Sequence, residues 1–400
     1  MGVFKNFIEK VKVKSRNYEI IKLLSGLSPI FRKVSGKIEE NIVAVESINT
    51  LATNIAKMTP KHYQEKVDGK VNIKGDINRL LSLRPNPFMS SYDFWYKTSS
   101  FYYAQNNAFI LQDFDEFGKL IGLYPINPLF ATLVTDGKEI WLKFTFMDGN
   151  IYYIRYQEII HLRRHFNEHE FYGSGNDILK SNLETQVIVD DGIKNAIKIS
   201  SSLRGMLKAT NTMLKDKDLE QVKEDFIKSI LSSAKGIGSL DSRFEFKEIN
   251  LNPILLDKDQ MERVDGNIYK YFGITEKIVS GNYNEDEWNA FYESSLEPFA
   301  IQAGQELTYK IFNDTAINTG HFIYFDSNRI KYAAPKTKIQ IVKEAGNLGM
   351  ITIDEGRDVL DFPPIGGEEG KKRLQSLNFV NALLADKYQG GNNDEWCKRI

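Results

Sequence analysis

"LLSLRPNPFMSSYDFWYK", residues 80–97, sets two prolines around an asparagine and follows them with serines and an aromatic run. Pro85 and Pro87 keep Arg84 and Asn86 out of helical geometry, so the chain breaks here. Ser90 or Ser91 then caps a new helix carrying Phe94, Trp95, Phe101 and Tyr102. The stretch reads as a rigid corner between two apolar helices, with no catalytic residue in it. Upstream, Val45, Ile48, Leu51, Ile55 and Met58 recur at helical spacing and stop at Pro60. Downstream, "NAFILQDFDEFGKLIGLYPINP" predicts a hairpin turning at Glu116 to Gly118. "EIWLKFTFMDGNIYYIRYQEIIHLRRH" adds strands with Asp148-Gly149-Asn150 as a turn. Residues 1–175 therefore predict helices packed on a small antiparallel sheet.

From Asn176 to about Arg204 the pattern is helical, with Leu179, Leu183, Val187, Ile193 and Ile197 on one face. A charged helix, a glycine-rich turn and the alternating "SRFEFKEINL" make a smaller α/β segment. A second helix spans about 257–272 and stops before Gly273, and "VSGNYNEDEWN" is a polar loop. A long helix then runs to about 312 with a kink expected at Pro298. "HFIYFDSNRIKYAA" returns to strand, and the residues after 336 read as mostly helical.

The chain has 400 residues, 42% hydrophobic and 26% charged, the balance of a folded protein. Lys plus Arg (52) nearly cancels Asp plus Glu (53), so any contact with nucleic acid must come from locally sorted charge. Cys397, the one cysteine, excludes disulfides and thiolate metal clusters within a chain. No apolar run approaches the ~18–20 residues of a membrane span. Val3, Phe4, Phe7, Ile8 and Val11 share a helical face among lysines, which fits packing on the protein itself better than a membrane surface.

Candidate chemistry is sparse. His161, His165 and His169 lie four apart beside Glu168 and Glu170, a pattern that could hold zinc on a helix. The preceding residues alternate like a strand, however, and the segment is not HExxH. "GGEEGKKR" (366–373) fails the phosphate-loop spacing, with Lys372 where Ser or Thr should stand. Gly236 and Gly238 lead into a strand, not a helix, and no serine sits in a G-x-S-x-G elbow. Asp190-Asp191 and "NEDE" read as solvated carboxylates. No catalytic residue, metal or cofactor is expected, and the chain reads as a non-enzyme. The alternative reading is a metal-dependent nuclease or phosphoesterase built on His161–His169.

"LLSLRPNPFMSSYDFW", "NNAFI" and "GKLIGLYPINP" resemble the front half of the portal proteins of long-tailed, double-stranded DNA bacteriophages. In the same order follow "EIIHLRRHFNEHEFYGSGNDIL", "IYKYFGITEKIVSG", "SLEPFAIQAGQELTYKIF" and "GNLGMITIDEGRDVLDFPPIGGEEG", with Asp354 where asparagine is common. The resemblance covers about residues 40–370. It implies an elongated α+β portal fold with a wing (1–175) of helices on a small antiparallel sheet and a two-helix stem (176–205 and 257–279). A small α/β clip (206–256), a tunnel loop (280–287), a second wing piece led by the kinked helix (288–345) and a helical crown (346–400) complete it.

Also implied is a homo-oligomeric ring, usually a dodecamer, at one vertex of the phage head and so in the virion, assembled in the host cytoplasm. The expected partners are double-stranded DNA in the channel, the terminase large subunit, the major capsid protein and scaffold, and a head–tail adaptor, with no membrane. A shorter ring adaptor of the same joint is a further reading. Gly281, Asn282, Tyr283, Asn284 and Glu285 are the expected loop residues facing DNA. Lys194, Lys198, Arg204 and Lys208 are candidates for the stem and clip, and they equally fit a solvated helix face. Glu220 and Glu224 belong to the clip's docking surface. A mobile constriction suits the glycine and polar tip of the loop, and so does an ordinary helix connection.

Overall fold

The computed structural model describes residues 18–21, 30–33, 38, 40–67, 69–167, 170–200, 205–209, 220–221, 223–228, 244–248, 258–326 and 335–375. Contacts divide them into two compact units. One falls within residues 1–33, 49–174 and 277–400, the other within 34–48 and 175–276.

In the first unit, β1 (Glu19–Ile20) and β2 (Ile30–Arg32) both pair with β7 (Phe130–Thr135), which continues through β8 (Ile140–Thr145) to β9 (Ile151–Arg155). A second antiparallel sheet has the order β10–β5–β6, from Ile159–Arg163, Asn107–Phe114 and Leu120–Ile126. A third has the order β13–β3–β4, from His321–Asp326, Thr59–Lys66 and Gly69–Asn72. The apolar spacing predicts one small sheet here, whereas the structure builds three. Pro60, read as a helix stop, does end the helix Ile42–Ala56 but then enters β3, a strand the sequence reading lacks. Its alternation is masked by Lys61 and Glu65 on the outer face and by Gln64, which follows Pro60 and His62 on the inner one.

The first two sheets enclose an aromatic core. Phe31, Phe109, Leu111, Tyr124, Leu133, Leu142, Phe144 and Ile154 are buried in one cluster. Each fully buried side chain of this size contributes roughly 1.5–3 kcal/mol. Both hairpin turns fall where the sequence predicts them: Gly118 N–H bonds to Asp115 O, and Gly149 N–H to Phe146 O. On the other side, the helix Ser91–Gln105 buries Phe94, Trp95, Tyr102 and Tyr103. Trp95 packs edge-on against Phe94, Phe299 and Phe325, with centroids 5.0, 6.3 and 4.8 Å away. Ser90 caps that helix in a reciprocal box with Asp93.

The proline corner has a clear function in this packing. Leu123 of β6 donates its N–H to Pro85 O at 2.9 Å, and Asn86 Nδ2 donates to Leu123 O at 2.8 Å. The corner thus occupies the outward backbone groups of an edge strand. The opposite edge is treated the same way: Gln302, on the helix Glu297–Ile311, accepts from Arg163 N at 3.3 Å and donates to Arg163 O at 2.8 Å. The Pro85 carbonyl with the Asn86 amide on one edge, and the Gln302 amide on the other, each occupy the outward groups of one residue of the sheet. After β10 the chain turns back so tightly that a Cβ at Gly173 would lie 2.3 Å from both Arg164 O and Asn106 O. Only glycine fits there. In the third sheet, His62 and His321 share a 2.8 Å hydrogen bond between residues 259 apart in sequence.

Within the second unit, the helix Asp177–Ser200 packs against the helix Lys258–Phe272, and β11 (Gly205–Ala209) pairs antiparallel with β12 (Phe244–Glu248). Leu179, Leu183, Gln186 and Ala196 are the buried positions of the first helix among those described, while Val187 and Ile197 are exposed. The apolar count placed those two on the inner face. The buried line passes instead through Gln186, which periodicity of apolar residues alone does not register.

Two more elements differ from the sequence reading. The disturbance expected at Pro298 lies one turn earlier, as a π turn over Tyr292–Leu296, and Pro298 sits in the first turn of the following α-helix. A wider turn just before the proline accommodates its missing N–H. The described residues after 336 are mostly helical as read, to which the structure adds β14 (Leu348–Thr352) paired with β15 (Arg373–Gln375).

Asn86 is 3% exposed and also accepts from Phe88 N at 2.9 Å. Replacing it with alanine strands the Leu123 carbonyl, so Asn86→Ala should cost about 1–3 kcal/mol in denaturant unfolding. The Leu123 amide should exchange faster in the same variant.

Candidate nucleic-acid interface

The segment Lys277–Phe291 is built from two helix ends facing each other across a short tip. The helix Glu276–Ser280 closes with Gly281 at φ 76°, where Gly281 N bonds to Ile278 O at 3.4 Å and Asn282 N to Lys277 O at 2.9 Å. That pair of bonds is a Schellman closure, and it needs the left-handed backbone that glycine supplies. The next helix, Glu285–Phe291, is capped by Asn284, whose Oδ1 accepts from Glu287 N at 2.8 Å. Glu287 returns the bond by accepting from Asn284 N at 3.0 Å. Only Asn282 and Tyr283 remain between the two closures.

Side chains tighten this tip further. Lys277 forms an ion pair with Glu287. The Tyr283 ring stacks on Trp288 at 5.3 Å, and Trp288 meets Phe291 edge-on at 5.6 Å. Glu285 accepts from Thr337 Oγ1 at 2.8 Å, so the first turn is tied to the helix Pro335–Asn347. The eight-residue loop read at 280–287 is therefore shorter: Glu285, Asp286 and Glu287 belong to the helix, and their charges face its positive end. The freedom credited to Gly281 is consumed by the cap. On the N-terminal side, the helix Lys258–Phe272 ends before Gly273 as the sequence reading has it, and the separate five-residue helix Glu276–Ser280 follows within the 257–279 that the resemblance gives to one stem helix. The Lys277 hydrogen bond, helped by the Asn284 amide, holds the Glu287 carboxyl below the usual carboxylate range. Its contribution is present at neutral pH and is lost as pH falls through that lowered value.

The basic and acidic candidates outside this tip are solvated where the structure describes them. Lys194 is exposed and lies 3.3 Å from Asp191, an i,i+3 partner. Lys198 lies on the helix Asp177–Ser200 and Lys208 on β11, with side chains outside the described set, and Arg204 falls wholly outside it. Glu220 and Glu224 are exposed on a helical stretch, Glu224 being 3.8 Å from Lys228.

The histidine segment does not assemble. His161 is fully buried in β10, its ring stacked on Phe109 at 4.5 Å, and its Nε2 lies 3.0 Å from Asn107 Oδ1. Asn107 gives both amide hydrogens to the Gln105 and Gly173 carbonyls, so its oxygen accepts and His161 carries its proton on Nε2. Burial, then Arg163 and Lys310, hold the ring neutral. His165 sits in a left-handed turn at φ 52°, and His169 lies outside the described residues. His161 and His165 share no helix face. Among the described residues, no group of three His, Cys, Asp or Glu is placed to hold a metal.

A polar ladder in the second unit has no counterpart in the sequence reading. Asn41 Oδ1 caps Ala44 N at 2.9 Å, Asn41 Nδ2 bonds to Gln186 Oε1, and Gln186 Nε2 donates to Asp265 Oδ1 at 2.9 Å. Asp265 is raised in pKa by burial first, then by Asp190 and Glu276. Asn41 before an apolar run is the sole sequence signal for it.

A family model described as Phage portal protein matches residues 43–361. A protein of Lactococcus phage p2, described as "Probable portal protein", is 24% identical over 364 residues, covering 86% of this chain and 86% of its own length. A protein of Lactococcus phage SK1 with the same description matches with the same figures: 24%, 364 residues, 86% and 86%. Among solved structures, a chain from the neck of a native GTA particle computed with C12 symmetry aligns with TM-score 0.62 and 15% identity, over 82% of this chain and 92% of that one. A chain from the neck of an empty GTA particle computed with C6 symmetry gives 0.64 and 15%, over 86% and 98%. At such identity the likeness is one of fold.

Because folding raises the Asp265 pKa, its carboxylate is disfavoured at pH values above that raised pKa. Stability from this group grows as pH falls toward the ordinary carboxylate range of ~4. Asp265→Asn keeps an acceptor for Gln186 and removes the charge. The variant should melt higher than wild type at pH 7, and the gap should close as pH is lowered to about 4.

Proposed function

The chain belongs to the phage portal protein family, and from that membership we propose that it acts as one subunit of a closed ring at the portal vertex of a phage head. The observation that carries this reading is the family match over residues 43–361. The fold shared with chains of two particle necks supports it. In the proposed ring, copies meet through heterologous side-to-side contacts that close by rotation. Double-stranded DNA passes through the centre during packaging and ejection. The ring sits in the virion, and no helix among the described residues is long and apolar enough to cross a membrane.

A conduit must touch a polyanion without holding it. Each basic residue that neutralises a phosphate steepens the salt dependence and tightens binding. A net charge of −1 over the whole chain suits sliding better than gripping. In this proposal the tip Gly281-Asn282-Tyr283-Asn284 lines the narrowest part of the channel, presenting amides and a phenol in place of fixed positive charge. Glu285, Asp286 and Glu287 lie behind it and repel the phosphates. Capped at both ends, the tip moves as a rigid piece with the helix that starts at Glu285. The π turn at Tyr292–Leu296 is the natural place for that helix to give.

The residues around 206–256 form the clip in this proposal. The exposed Glu220 and Glu224 face first the terminase motor and later a head–tail adaptor. The packaging energy comes from that separate ATPase, and the ring itself hydrolyses neither ATP nor DNA.

Purified protein should sediment as one large species and appear as rings with a central hole by electron microscopy. Monomers alone at micromolar concentration across a range of salt would overturn the ring.

A packaging assay addresses the tip. Replacing Asn282 and Tyr283 with glycine should leave rings intact while lowering the yield or retention of packaged DNA. Normal packaging and retention would remove the tip from the mechanism. In the same assay, lysines at positions 220 and 224 should weaken motor binding, and unchanged binding would remove those glutamates from the docking face.

A further inference from the structure

The third sheet is fastened on both of its outer sides. β13 is held by the helix Glu297–Ile311: Ile323 N donates to Thr308 Oγ1 at 2.8 Å. The approach is so close that a Cβ at Gly304 would lie 2.9 Å from Ile323 O. β3 is held by β4 and the helix Asp76–Ser82. His62 N donates to Asn78 Oδ1 at 3.0 Å, and His62 O accepts from Ile73 N at 2.9 Å. His62 and Ile323 stand directly opposite each other across the β3–β13 pairing. At this level both strands turn backbone groups outward, away from the seam between them, as alternate pairs of an antiparallel ladder do.

What spans the seam beside them is a side-chain bond, His62 Nε2 to His321 Nδ1 at 2.8 Å. The Phe312 ring packs over both imidazoles, with centroids 4.7 Å from His62 and 6.0 Å from His321. A bond between two imidazoles needs one facing nitrogen to donate and the other to accept. With no added proton, or with one, that condition is met. With two, both facing nitrogens carry hydrogen and two like charges meet. We propose that His62 and His321 form an acid-sensitive catch, which holds β13 to the β3–β4 hairpin until the pair takes up its second proton.

The surroundings supply no counter-charge that would cancel the effect. By alternation, Lys61 and Glu65 project from the opposite face of β3, where Lys70 of β4 lies over the Phe322 and Tyr324 rings. Asp76 pairs with Lys119, Glu306 lies 3.8 Å from Arg163, and Lys310 donates to Tyr156 O. Lys66, Arg79, Glu297 and Asp314 are the other charges with described side chains on these strands and helices. Burial first, then the His321 charge, lowers the His62 pKa, and no carboxylate is among the causes. The stability from this group is therefore present above the ordinary histidine value of ~6.5 and is lost as pH falls through the lowered one. The neighbouring bonds Glu65 N to Gly320 O and Gln64 Nε2 to Thr319 O do not titrate. Opening at the seam bares the β13 side of β3, an edge able to pair with another strand.

Hydrogen exchange of the full-length protein between about pH 7.5 and 5, each rate divided by the intrinsic rate of its amide, reads the catch. Amides at 60–65 and 322–326 should lose protection about threefold or more on acidification, while those of β5 and β10 change less than about twofold. His62→Gln places a neutral amide where Nε2 stands, and His321→Asn does the same for Nδ1. Either variant should reduce the acid loss at 60–65 to less than about twofold. The wild type supplies a second reading through the slow exchange of the histidine ring C2–H groups, followed by mass spectrometry. The His62 step should fall below ~6.5 and coincide with the loss of protection at 60–65. Three results would overturn the proposal: protection at 60–65 unchanged by acid, an equal loss in wild type and both variants, or opening at a pH away from the His62 step.

Discussion

An edge strand with free backbone groups is the constraint this fold works around. The β10–β5–β6 sheet has only three strands, so two of its three could recruit a foreign strand. Asn86, with Pro85 O, closes one side, and Gln302 closes the other. Gln302 uses both halves of its amide, donor and acceptor, at nearly the spacing of a peptide, while Asn86 supplies the donor and Pro85 O the acceptor. Two helices of the first unit are placed by these closures. The corner that delivers Asn86 fixes where the helix Ser91–Gln105 begins, and the helix that delivers Gln302 brings Phe299 onto Trp95. A net hydrogen bond is worth only about 1 kcal/mol against roughly 1.5–3 for a buried aromatic. The aromatics therefore supply the stability, and the amides decide which arrangement receives it.

Much of this architecture is legible in the sequence because local rules are strong there. Ser90 with Asp93, Asn284 with Glu287, Asp148-Gly149-Asn150 and the alternating runs of β5 through β9 each carry their own geometry. What stays hidden is what depends on distant partners. β3 contains a proline and four charged or amide side chains, and it becomes a strand because β13 pairs with it. Gln186 looks like a surface residue until Asn41 and Asp265 are placed beside it. The tip at Gly281–Asn284 was visible as a loop, but its stiffness was not. Nothing in the sequence ties Lys277 to Glu287 or Thr337 to Glu285.

In the proposed channel, that stiffness bears on how the tip would contact a moving polymer. A floppy loop loses conformational entropy each time it makes contact, at about 1–2 kcal/mol per ordered residue. A tip that is already ordered has little left to lose. Contacts can then be many and weak, and none of them need last. The near-balance of charge works in the same direction, since it limits how many counterions any one contact releases.

The pairing of β3 with β13, marked by His62 and His321 at 259 residues' separation, has a consequence in time. A ribosome adding about 5–20 residues per second needs roughly 13–52 s to make that intervening chain. Throughout that interval β3 has β4 on one side and an empty ladder on the other. Many copies of the proposed ring subunit would be made together, so each nascent chain has identical neighbours with the same exposed edge. Mispairing between them is the hazard that the order of synthesis builds in. Lys61, Lys66 and Lys70 lie on β3 and β4, and like-charged lysines on the strands of every copy oppose such pairing until β13 arrives.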